Sequence, residues 1–160
     1  MRLFLACLAV LLTAPAAFSQ AAPVRLGVGL DVVAIPLRAG DVDPGLGLGL
    51  RGRAALPINA DLSAAGSLGI TANLAGSAVL TAAPQVSMIV TLPNRSSYVL
   101  GGFGGFVPLS GGGGGPTVHA GFGVAVPLSE TSIYFEVDPA IVVGSSETTF
   151  VIPGRVGVIF

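Results

Sequence analysis

The closing stretch Thr149-Phe150-Val151-Ile152-Pro153-Gly154-Arg155-Val156-Gly157-Val158-Ile159-Phe160 decides how the rest of the chain is read. Phe150, Ile152, Val156, Val158 and Phe160 fall on one parity, and Val151, Pro153, Arg155, Gly157 and Ile159 on the other. Successive side chains of a strand point to opposite faces, so one face here is an apolar stripe while the other carries an arginine, a proline and a glycine.

The same period-two alternation recurs upstream. Val24, Leu26, Val28, Leu30 and Val32 alternate with Arg25, Gly27, Gly29 and Asp31, and Leu46, Leu48 and Leu50 with Gly47, Gly49, Arg51 and Arg53. Leu62, Ala64, Leu68 and Ile70 oppose Ser63, Ser67 and Thr71, and Leu80, Val86, Met88 and Val90 oppose Thr81, Gln85, Ser87 and Thr91. Ser97–Val107 is apolar on both parities: Tyr98, Leu100 and Phe106 share one face, yet Val99, Phe103 and Val107 are apolar too. Val118, Ala120, Phe122, Val124 and Val126 face away from His119, and Ile133, Phe135, Val137, Ile141 and Val143 from Tyr134, Glu136 and Asp138. With the closing stretch, this gives eight strands.

Composition narrows what such strands build. Charged residues make up 9% of the 160 residues and hydrophobic ones 52%, against about 25% charged in an ordinary soluble domain. There are too few charges to coat a water-facing surface. All seven basic residues are arginines and the net charge is −1, which excludes a nucleic-acid footprint. One cysteine excludes an internal disulfide and a cysteine metal cluster. Residues 1–21, with Arg2 followed by the run Leu3–Leu12 and small residues to Ala21, read as a secretory signal peptide, with Cys7 inside it as a signal-peptide cysteine rather than a lipidation site. Residues 22–160 then form one domain. Gly, Pro or a charge interrupts every later apolar run, so no membrane helix is expected.

The connections fall into two kinds. Leu56-Pro57-Ile58-Asn59-Ala60-Asp61, Leu92-Pro93-Asn94-Arg95-Ser96 and Val126-Pro127-Leu128-Ser129-Glu130 share an apolar-Pro start and a short polar turn. Their prolines recur at about 35 residues, a hairpin-sized repeat, and each ends a strand because proline cannot donate to the ladder. The other connections, Arg38–Pro44, Asn73–Ser77, Ser110–Pro116 and Gly144–Thr148, differ among themselves. One end is uniform, the other varied. Eight strands put both termini at the uniform end.

Amphipathic strands of this length, alternating turn classes and a terminal Phe160 together resemble the small eight-stranded outer-membrane β-barrels of the OmpA/OmpX type, over about Val24–Phe160. The family's glycine five residues before the terminal aromatic is replaced by Arg155, between Gly154 and Gly157. The resemblance implies an all-β, eight-stranded antiparallel up-and-down transmembrane β-barrel in the cell outer membrane, with the uniform turns periplasmic and the varied loops outside. It implies outer-membrane lipid and the barrel assembly machinery as partners, with Phe160 as the assembly signal, and a larger cell-envelope complex as a further partner. Closure satisfies every backbone group, which lipid demands. The competing fold is a secreted soluble sandwich or lipocalin-like binder, whose second face would carry many Lys, Glu, Thr and Asn; here that face is mostly Gly, Ala and Ser, which suit a narrow lumen.

The inward parity gathers the chemistry. Arg25 and Asp31, Arg51 and Arg53, Glu136 and Asp138, and Arg155 lie on strands that are consecutive neighbours once the barrel closes. They are expected to form one charged wall, a plug of ion pairs rather than an open polar pathway, because a buried unpaired charge is costly. Arg155 should pair with Glu136 or Asp138, and Arg51 or Arg53 with Asp31. His119 has no second imidazole or thiolate for a metal and no serine beside it on the lipid face, so it reads as a satisfied interior histidine. Gly101–Gly105 and Gly111–Gly115 lack the lysine and strand-to-helix setting of a phosphate loop; the first reads as lumen or close-packing glycines and the second as a flexible external loop. On the face assignment, Leu48→Arg should harm and Gly49→Ser should be tolerated. No catalytic, cofactor or metal residues are assigned. The reading is a non-enzymatic envelope protein with a structural or assembly role; the alternatives are a carrier or conduit for a small apolar molecule such as a lipid or pigment, opened at the fifth strand, and last a lipid-active enzyme.

Overall fold

The computed structural model describes residues 23–38, 45–74, 79–109, 114–144 and 148–160. The signal-peptide assignment, most of each varied loop and Gly111–Gly113 lie outside them. The strands are β1 (Arg25–Arg38), β2 (Gly45–Pro57), β3 (Leu62–Asn73), β4 (Leu80–Thr91), β5 (Ser97–Pro108), β6 (Gly115–Pro127), β7 (Ser132–Val137), β8 (Ala140–Val143) and β9 (Thr148–Ile159). Each pairs antiparallel with its neighbours, and β1 pairs with β9, so the sheet closes into a barrel. Backbone bonds in both directions between Leu26 and Phe160 complete the seam.

β7 and β8 are two halves of one strand, interrupted at Asp138-Pro139. Proline has no N–H for the ladder, but pairing with β9 resumes in the same register, Val137 opposite Gly154 and Ala140 opposite Val151. Inward and outward parity therefore survives the break, and the barrel has eight strands as expected.

Polarity is inverted relative to a water-soluble protein. Leu30, Leu50, Val86, Phe103, Phe122 and Phe135 are exposed on the outer surface, Leu50 at 67% and Phe103 at 71%. Among the described residues thirteen polar or charged side chains are buried against eight apolar ones. This excludes the sandwich and the lipocalin-like binder, in which the buried face is the apolar one. The fifth strand resolves with Tyr98 and Leu100 buried and Val99, Phe103 and Val107 outside. It pairs with β6 from Ser97 to Phe106 and with β4 from Tyr98 to Pro108 in one register, interrupted at Gly105 and Phe106 where β4 carries Pro84, so the strand is held on both edges.

One expectation is corrected. A Cβ on Gly49 would lie 2.3 Å from the Ile70 carbonyl oxygen and 2.6 Å from Thr71 Oγ1. The inner wall is so tightly curved that β3 backbone occupies the space, and Gly49→Ser is not a mild change.

Candidate functional site

The lumen is filled in layers. Arg155 lies in direct register between Asp31 on β1 and Glu136 on β7, so closure alone places a guanidinium between two carboxylates. Its Nη1 donates to Glu136 Oε1 and, at 2.7 Å, to Asp138 Oδ2; its Nη2 donates to Gln85 Oε1 at 3.1 Å. Its Nε is 3.4 Å from Asp31 Oδ1. Arg51 donates from Nε to Asp31 Oδ2 at 2.8 Å and from Nη1 to Gln85 Oε1 at 2.7 Å and Ser67 Oγ at 2.9 Å. Gln85 thus bridges the two arginines.

Arg53 crosses the lumen instead of meeting Asp31. Its Nη2 donates to both oxygens of Glu136, at 2.7 and 2.8 Å, and its guanidinium lies 5.3 Å from the Tyr134 ring centre. Tyr98 donates its hydroxyl to Glu136 Oε2 at 2.9 Å. Reasoning from neighbouring strands alone missed this because an eight-stranded lumen is narrow enough for long side chains to span it. Three guanidiniums face three carboxylates, so the network is balanced and its members are nearly dry.

Arg25 does not join them. It is exposed at the end of the barrel that carries the chain termini, opposite Ala55, and six residues along a strand place it about 20 Å from Asp31. The residues brought together are therefore Asp31, Arg51, Arg53, Glu136, Asp138 and Arg155, joined by Gln85, Tyr98 and His119. Gln85 and Tyr134 had the right parity to be foreseen as members; Tyr98 did not, since both faces of its strand are apolar.

His119 is a buried, hydrogen-bonded interior residue. Its Nδ1 is 2.8 Å from Asp138 Oδ1 and its Nε2 is 3.3 Å from Ser87 Oγ. Serine, histidine and carboxylate in that order have the connectivity of a nucleophilic triad. All three are buried, the second Asp138 oxygen is held by Arg155, and a nucleophile walled in this way has no room for a substrate. Among the described residues no group of three His, Cys, Asp or Glu side chains could hold a metal ion.

Beyond the charges, toward the varied loops, Val33, Ala140, Val142 and Val151 cluster with Phe106 against them. The cavity between this cluster and the network is about 20 Å³, room for about one water.

The two lumen tyrosines need glycine opposite them. A Cβ on Gly123 would lie 2.2 Å from Tyr98 Cζ, and one on Gly157 would lie 2.6 Å from Tyr134 Cε1 and 2.3 Å from the Val28 carbonyl oxygen. Gly123→Ala and Gly157→Ala should each destabilise by about 1–3 kcal/mol through overpacking. Truncating Tyr98 should offset the Gly123 change, whereas truncating Tyr134 should leave the Gly157 change costly because backbone still blocks it. Double-mutant cycles on unfolding free energies read this; coupling of equal size in both pairs would contradict the packing described.

An all-β closed barrel of eight antiparallel strands, apolar outside and charged within, is the fold of the small bacterial outer-membrane β-barrels. Two solved structures share it: Neisserial surface protein A, NspA, with a TM-score of 0.69 and 13% identity over 88% of this chain and 98% of that one, and Ail, the attachment invasion locus protein of Yersinia pestis, with a TM-score of 0.55 and 13% identity over 86% and 97%. No protein-family model and no curated protein sequence matches the chain.

Proposed function

We propose that this chain is a non-enzymatic protein of the bacterial outer membrane, with a structural or envelope-assembly role and a lumen plugged by its arginine and carboxylate pairs. The observation that carries the reading is the inversion of polarity in a closed barrel: leucine and phenylalanine face outward where lipid would be, while charges are paired inside. The two solved barrels that share the fold lend it support. A filled lumen argues against conduction, because a cavity with room for about one water passes neither solute nor hydrated ion. The carrier reading has less behind it, since β5 is paired on both edges and an apolar ligand would meet a charged interior. In this reading the partners are outer-membrane lipid, the assembly machinery that reads Phe160, and a larger envelope complex.

Fractionation of the native envelope, followed by gel electrophoresis with and without boiling, tests it. The protein should appear in the outer-membrane fraction and migrate differently when boiled, as a folded barrel resists unfolding by detergent. Deleting Phe160 should lower the amount assembled in cells far more than it lowers the stability of protein refolded in detergent. Recovery in the soluble periplasm would sink the proposal.

A further inference from the structure

Among the described residues the lumen holds a recess beside the plug, at the end where β1 begins and β9 finishes. Its volume is about 120 Å³, the share of about four water molecules. Arg25, Arg53 and Arg95 all line it, together with the hydroxyl-bearing Ser63, Thr91 and Tyr98, and no aspartate or glutamate is among its lining residues. Three of the chain's seven arginines thus meet at one recess; Glu136 reaches Arg53 from the plug side and Asp61 reaches Arg95 on the rim, and Arg25 supplies a further positive charge.

The three arginines are not equally engaged. Arg53 is held from below, with both of its bonds to Glu136 leaving from Nη2. Arg25 has no ion-pair partner among the described residues. Arg95 reaches Asp61 only on the exposed rim, at 3.5 Å with both side chains more than half exposed, a contact worth little in water. Arg95 also stands at φ 61°, the left-handed region that favours glycine. The Asn94 side-chain carbonyl accepts from the Ser96 and Ser97 amides at 3.2 and 2.9 Å, so the turn holds Arg95 in that conformation despite its cost.

We infer that this recess is a binding site for a phosphate group. Guanidiniums are planar forks that match tetrahedral oxyanions in charge and geometry, and the Ser63 and Thr91 hydroxyls can donate to the remaining oxygens, the Tyr98 hydroxyl being held by Glu136. The recess opens only at the terminal end, because the plug and the apolar cluster close it toward the varied loops. The phosphate therefore comes from that side, either as a phospholipid headgroup of the adjoining leaflet or as a free phosphate. The site shares Arg53 with the plug, and its lipid source rests on the membrane reading, whereas binding of free phosphate does not.

The test uses the mature full-length barrel, wild type and with Arg25→Gln, Arg95→Gln or both. Neither residue belongs to the buried network, so heat-modifiable migration should be unchanged. Inorganic phosphate is titrated at constant ionic strength and followed by phosphorus NMR, with chloride as the control for screening. Saturable binding is expected, weakened about tenfold by each substitution and about a hundredfold by both, the size expected for loss of a charged hydrogen bond. Arg25→Lys should bind better than Arg25→Gln. In a second arm the melting temperature is compared in nanodiscs of phosphatidylcholine alone and with phosphatidic acid added. An arginine-dependent rise with phosphatidic acid identifies the headgroup as the source, and a response to inorganic phosphate alone identifies the free anion. Absence of saturable binding in both arms, or binding that the double substitution leaves intact, overturns the inference.

Discussion

Arg155→Ala is expected to destabilise the folded barrel by about 3–5 kcal/mol, the cost of removing one member of a dry ion-pair network. Arg155 touches Asp31, Glu136 and Asp138 at once. When it is removed, Asp31 keeps Arg51 and Glu136 keeps Arg53, but Asp138 is left with His119 alone and the network carries one uncompensated negative charge. The loss should therefore be concentrated at Asp138. Arg155→Met combined with Asp138→Asn restores neutrality, keeps an oxygen for His119 Nδ1 and fills part of the space, so the double variant should be more stable than Arg155→Ala. Urea unfolding in detergent micelles measures the three proteins, and planar-bilayer recordings accompany them. Wild type should carry no steady current. Steady wild-type current, with a double variant no better than the single, would overturn the plug and favour a polar pathway through the lumen.

How far this network was legible follows from where its information resides. Strand number, the two faces and the sets of residues that can meet across adjacent strands are written in period-two alternation, which brings Arg155 to Glu136 or Asp138 and Arg51 or Arg53 to Asp31; the structure gives Arg155 both carboxylates and Asp31 to Arg51. Arg53 shows the limit: its partner Glu136 is far along the chain and on a strand that is no neighbour, and only the lumen's diameter brings them together. Arg25 shows another, since parity states which face a residue occupies but not its depth. Gly49 and Gly123 share the inward parity with serines and threonines, yet the curvature of the wall and the placement of Tyr98 decide that nothing larger fits. In Ser97–Val107 the alternation itself fails, because Leu100 and Phe106 serve the lumen while Val99 and Phe103 serve the exterior.

Leu50→Arg should cost about 2–4 kcal/mol in a bilayer, the penalty for an arginine on the lipid face near the midplane. Leu50 lies close to the middle of β2, opposite Leu30 on β1 and Ile70 on β3, and all three are exposed, so the charge would sit among apolar side chains. Leu48, two residues further along, should show a smaller penalty if depth governs the cost. Gly49→Ser separates this mechanism from packing, since its cost comes from β3 backbone inside the wall and involves no charge in lipid. Unfolding should be measured in bilayers and again in small detergent micelles, where a displaced arginine reaches water more easily. The Leu50→Arg penalty should shrink in micelles, and that of Gly49→Ser should stay the same. If Leu50→Arg were tolerated in bilayers as well as Leu50→Ala, the outer surface would not be facing lipid, and the membrane reading of the barrel would fail with it.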